Sequence, residues 1–107
     1  MNRYFEALFA NFDEEEDVLM GEMIILIGRN DMSFDFWRES LSEEERDFAV
    51  TLARRVDDEY YHLLEDNCEN ELNLFVEIML YYVTYDAELG CELPAIGMLY
   101  GEAMRRW

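Results

Sequence analysis

The stretch Ser42-Glu43-Glu44-Glu45, continued by RDFAVTLARRV over 46–56, decides the fold class. A serine followed three residues later by glutamate forms a capping box, in which each side chain satisfies a backbone N–H that the helix start leaves free. Downstream, Ala49, Leu52, Ala53, Val56, Tyr60, Leu63 and Leu64 fall on one face of a helical wheel, while Asp47, Arg54, Asp58, His62 and Glu65 lie roughly opposite. The spacing predicts one long amphipathic helix that ends near Asn67.

Working toward the N-terminus, Ser33 caps a brief helical turn carrying Phe34, Phe36 and Trp37, an aromatic group read as core before interface anchor. Asp13 caps a helix whose first turn, Glu14-Glu15-Glu16-Asp17, places negative charge where the helix dipole favours it, and Gly28 is its expected stop. Within it, Met23 to Ile27 also reads as a buried strand, because a short apolar run has no decisive period; helix is preferred. Tyr4, Phe5, Leu8, Phe9 and Phe12 recur at helical spacing and predict a first helix over 2–11.

Toward the C-terminus, residues 70–86 are apolar around nearly the whole helical circumference, with Asn73, Glu77 and Thr84 as the only polar stripe. Such a helix belongs at the centre of a fold or at an interface. After Gly90, Pro94 suits a first helical turn, and 95–107 reads as a final helix ending in Arg105 and Arg106. Gly97 and Gly101 on that helix suggest close packing against a neighbour. The expected architecture is all-α, an irregular bundle of about five helices in a single domain over 1–107.

The composition permits such a core, since 51% of the 107 residues are hydrophobic. One Pro and five Gly leave no linker or low-complexity tract. The first residues lack the apolar core of a secretory signal, and the apolar runs 18–27 and 72–85 are too short to span a bilayer. A cytoplasmic location follows as the expectation. Cys68 and Cys91 have no paired spacing and read as reduced structural thiols, with a disulfide between them left open.

The dominant feature is charge. The chain has 26 Asp or Glu against eight Arg and no Lys, a formal charge of −18. Residues 56–104 contain twelve carboxylates and neither Lys nor Arg. Nucleic acid and anionic lipid are both repelled by such a surface, so its electrostatic partner is a basic protein. The acids at Glu14 to Asp17 and Glu43 to Glu45 are explained as helix first turns, and Arg54 with Asp58 and Arg55 with Glu59 as weak pairs four apart. Beyond Val56 that explanation fails: Asp57, Asp58, Glu59, Glu65, Asp66, Glu69, Glu71, Glu77, Asp86, Glu88 and Glu92 have no cation near in sequence besides Arg54, Arg55 and His62. Of these, Asp57, Asp58, Glu65, Asp66, Glu69 and Glu71 are the expected partner-binding patch.

No catalytic constellation stands out, so the expectation is a binding protein with no cofactor and no metal. Glu59-x-x-His62 has the spacing of carboxylate-bridged di-metal bundles, but a complete site needs a second copy and His62 is the only histidine. There is no calcium loop, phosphate loop or nucleophile elbow.

Carboxylates four apart on a helix are separated by about 6 Å of rise, a spacing on the scale of nucleic-acid backbone charge. The segment from Asp57 to Asp66, in a short acidic chain without lysine, resembles the small phage-encoded DNA mimics that block restriction or CRISPR complexes. That resemblance lies in composition and acidic helical patches, and it implies an inhibitor seated on a basic nucleic-acid-binding surface. Ser42-Glu43-Glu44-Glu45 followed by a helix and then Asp58-Glu59-Tyr60-Tyr61 is also similar to nuclease-colicin immunity proteins, although His62 stands where that family has proline. The rival expectation is an oligomeric helical adaptor, with 72–85 as a homodimer seam. Halophilic adaptation is a third, distinguished by a need for molar salt to stay folded.

Overall fold

A computed structural model describes residues 2–30 and 33–107. Six α-helices follow in order: α1 (Arg3–Ala10), α2 (Glu14–Asn30), α3 (Phe34–Ser40), α4 (Glu43–Val56), α5 (Glu71–Tyr85) and α6 (Leu93–Arg105). A π-helical turn (Asp57–Tyr61) and a 3-10 turn (Ala87–Glu92) lie between them, and no strand occurs among the described residues. The fold is all-α. The sixth helix is α3, anticipated as a brief turn, whose Ser33 Oγ accepts from the Phe36 N–H at 3.2 Å. Met23 to Ile27 is helical, within α2.

Capping chemistry set most of the starts correctly. Ser42 Oγ accepts from Glu45 N at 3.1 Å while Glu45 Oε1 accepts from Ser42 N at 2.8 Å. Asp13 and Glu16 make the same reciprocal pair at 2.8 and 3.0 Å. The ends differ more. Helix α2 runs through Gly28 to Asn30. A Cβ at Gly28 would meet the Glu92 carboxylate packed against the helix, so the end of that flexible side chain would have to shift to admit one.

Helix α4 stops at Val56, eleven residues before the expected end near Asn67. The ladder widens into the π-turn, His62 adopts a left-handed conformation with φ 57°, and its N–H returns to the Asp57 carbonyl at 2.7 Å. Asn67 takes a second left-handed position at φ 61°. Histidine and asparagine enter this region more readily than most side chains, so the chain turns twice without glycine. Consequently Ala49, Leu52, Ala53 and Val56 are buried as the wheel predicted, whereas Tyr60 and Leu63 are exposed.

The core gathers around α5, which packs against α4, α6 and α1. Its apolar circumference is thus used within one chain, and the dimer-seam reading of 72–85 loses its support. Asn73 is not on an outer stripe: it is buried and donates from Nδ2 to the Ala103 carbonyl at 2.8 Å, tying α5 to α6. Phe5 stacks on Tyr81 at 4.4 Å between ring centroids, and Trp37 lies parallel to Phe75 at 6.3 Å. Phe34 and Trp37 are core; Phe36 is exposed. The radius of gyration, 12.8 Å, is close to the about 13 Å expected for a single domain of this length. Gly97 and Gly101 face open space and do not admit a neighbouring helix. Among the described residues no helix is long and apolar enough to cross a membrane.

Candidate acidic binding surface

The expected patch over 57–71 is divided by the fold. Asp57 is only 3% exposed, and its Oδ1 accepts from the N–H groups of Leu63 and Leu64 at 2.6 and 3.1 Å. It closes the turn after α4 and is withdrawn from any partner. Glu71 is held by Arg54, whose Nε and Nη2 both reach Oε1, at 3.1 and 2.6 Å. The same guanidinium donates to the Glu65 carbonyl at 3.0 Å, so Arg54 fastens the 62–70 connection and does not pair with Asp58. Arg55 does pair with Glu59, at 3.8 Å. Glu69 lines a groove with Arg38 and Arg46. Asp58, Glu65, Asp66 and Glu69 remain exposed and take part in no ion pair among the described residues.

A larger acidic surface lies at the start of α2. Val18, 51% exposed, stands between two open grooves. The larger, about 620 Å³, is bordered by Glu14, Asp17, Asp86 and Glu88 over an apolar floor that includes Phe12, Tyr85 and Leu89. The other is bordered by Asp13, Glu14, Glu15, Glu22 and Glu44 around Leu19. Together they collect eight carboxylates from α2 and its cap, the start of α4 and the chain after α5, and among the described residues neither groove is lined by Arg or His. Asp17 accepts from the Tyr82 hydroxyl at 2.9 Å, and burial together with this carboxylate pushes the Tyr82 phenol well above its usual range.

Sequence reasoning passed over this surface because the helix dipole accounts for Glu14 to Asp17 one by one. Convergence of Glu44, Asp86 and Glu88 on the same place depends on tertiary packing. The available local signal was Val18-Leu19 directly after four acids, an apolar pair at a highly charged helix start.

The cations gather elsewhere. Arg38 and Arg106 lie over the Phe34 ring at 5.5 and 5.8 Å, and both pair with Asp35. The hydrogen bond from Arg106 holds the Asp35 carboxyl below its ordinary value. Arg46 donates to the Arg38 carbonyl at 2.6 Å, and Arg106 also reaches Glu102 at 3.3 Å. Arg38, Arg46 and Arg106 are therefore spent around α3 and the end of α6, and Arg54 and Arg55 on Glu71 and Glu59.

Glu59 and His62 do not form half of a di-metal site. Glu59 accepts from the Tyr4 hydroxyl at 2.9 Å, and the left-handed His62 breaks the helical register that a three-residue spacing requires. Among the described residues no three His, Cys, Asp or Glu side chains are grouped to hold a metal ion. Cys68 and Cys91 are free thiols. No protein family, no curated protein and no solved structure matches this chain.

Proposed function

We propose that this protein is an acidic inhibitor that seats on the basic nucleic-acid-binding surface of a defence complex, of the kind that restriction or CRISPR systems present, in the cytoplasm of a host cell. The observation that carries the reading is the pair of grooves astride Val18, which gather eight carboxylates beside apolar side chains and, among the described residues, no arginine. Carboxylates replace phosphates electrostatically, while exposed Val18 and the groove floors add the apolar contact that a phosphate backbone does not offer. Steering by such a surface speeds association and weakens as salt rises. Asp58, Glu65 and Asp66 extend the anionic surface along the 57–66 segment. A nuclease immunity protein would work by the same chemistry on one toxin.

Capture from host lysate at low and moderate salt tests the reading, with wild type compared against a Glu14→Lys/Glu15→Lys/Glu44→Lys variant. The expected result is a nucleic-acid-binding protein retained by wild type, released by moderate salt and lost with the variant. Equal retention by both would remove α2 from the interface.

A second reading, self-association as an adaptor, is favoured by one observation. The outer face of α6 exposes Leu93, Gly97, Met98 and Gly101 without a charge between them, Met98 being 78% exposed. Sedimentation separates the readings by sign, since screening strengthens association between like-charged copies and weakens attachment to a basic partner.

A further inference from the structure

Sharing no lining residue with the α2 grooves, a further groove of about 410 Å³ opens between the π-turn and the end of α6, lined by Tyr61, Leu63, Leu74, Glu77, Met104 and Trp107. Leu63 is 63% exposed and Trp107 41%, both large apolar surfaces presented to water. Glu77 is half-buried here and belongs to no ion pair among the described residues. Its polar neighbours are phenols: Tyr100 donates to Oε1 at 3.5 Å, and Tyr61 lines the same groove, its phenol pushed up by burial and by this carboxylate. The Tyr100 hydroxyl satisfies one oxygen lone pair, and neither phenol supplies positive charge.

We propose that this groove is an anchor site for one cationic side chain, arginine above all, presented by a basic protein partner. The chemistry of the walls selects that occupant. The methylene stem of arginine lies against Leu63, Leu74 and Met104, while its planar guanidinium stacks on an aromatic face and meets a carboxylate with directed N–H groups. Trp107 and Tyr61 supply the faces and Glu77 the carboxylate. A purely apolar occupant would cover Glu77 without a countercharge, which is costly. An anion would meet the carboxylate and the −18 chain together. A divalent cation would find a single carboxylate. Asp58 and Glu65, exposed on the adjoining segment, steer a basic surface toward the mouth. The inference rests on the proposed reading for its partner class and adds the residue that partner inserts.

The test requires no identified partner. N-acetyl arginine amide and its neutral isostere N-acetyl citrulline amide, hereafter arginine amide and citrulline amide, are titrated at matched ionic strength, and the two indole N–H signals are followed by NMR, with Trp107→Phe assigning them. Trp37 is fully buried and serves as internal control. The Trp107 signal is expected to shift saturably with arginine amide and not with citrulline amide. Glu77→Gln, which keeps an acceptor for Tyr100, weakens binding about tenfold, the scale of one charge-assisted hydrogen bond. Leu63→Ala, at an exposed position that does not threaten folding, weakens it through the stem. Equal shifts with both amides, no shift with either, or indifference to both variants would overturn the anchor. A Trp107 shift produced by protein concentration alone would place a second copy's arginine in the groove and overturn the partner assignment. Arginine-amide binding without any captured nucleic-acid-binding protein would leave the anchor standing and remove the inhibitor reading.

Discussion

Asp57 illustrates how a charge that looks available in sequence can be structural. Its carboxylate serves two backbone N–H groups at the first of two left-handed turns after α4, so Asp57→Ala leaves both without a protein acceptor. A loss of about 2 kcal/mol is expected in denaturant unfolding, against a smaller loss for Asp57→Asn, which keeps an acceptor. Asp58→Lys, one residue away and exposed, should change stability by less than about 0.5 kcal/mol. Equal effects at 57 and 58 would contradict the turn geometry. Asp35 carries a pH signature of definite sign. Arg106 lowers its folded-state pKa, so its contribution is present above the unfolded carboxyl value and disappears as pH falls through the depressed one. The stability difference between wild type and Asp35→Asn should narrow in acid, as followed by thermal melts across pH.

At the scale of elements, Gly28 separates propensity from packing. Within a helix interior, glycine costs about 1 kcal/mol relative to alanine, but a methyl at 28 must displace the Glu92 carboxylate. Gly28→Ala alone is expected to change stability by less than about 0.5 kcal/mol, whereas in a Glu92→Ala background it should stabilise by about 1 kcal/mol. Additivity of the two substitutions would refute the contact. The helices were legible where a side chain addresses its own backbone: Ser42 with Glu45, Ser33, Asp13, and Pro94 in the first turn of α6. Their ends were less so. Gly28 marks a tertiary contact and not a stop, while His62 and Asn67 reverse the chain at positions where no glycine warns of a turn. The central place of α5 followed from its apolar circumference, yet the burial of Asn73 required knowing that the Ala103 carbonyl lies across from it. For the candidate surface, the excess of acid was plain in composition, but its location was not. Arg54 chose Glu71 over Asp58 because the 62–70 connection folds back upon it, a geometry invisible to spacing along one helix.

For the whole molecule, charge and aromatic burial set opposite limits on stability. Burial pushes the Tyr4 phenol from 10.0 up to about 12, and burial likewise raises those of Tyr61, Tyr82 and Tyr100, each reinforced by a nearby carboxylate. Between pH 10 and 12 the unfolded chain releases phenolic protons that the folded chain retains, so stability is expected to fall as pH rises through that window. Tyrosinate absorbance should then lag behind pH and rise together with unfolding. A gradual ionisation without unfolding would contradict it. Self-repulsion at −18 predicts a melting temperature that increases modestly with added salt, in a protein already folded in dilute buffer. A requirement for molar salt would instead identify halophilic adaptation.

Whether carboxylates stand in the place of nucleic-acid phosphates on a basic partner is decided by competition. The partner captured from host lysate is challenged on the resin with double-stranded DNA at constant ionic strength. Release in proportion to DNA, and loss of the partner's DNA binding when this protein is added back, is the predicted result. A complex that DNA cannot displace, and that binds DNA undiminished with this protein attached, would contradict it.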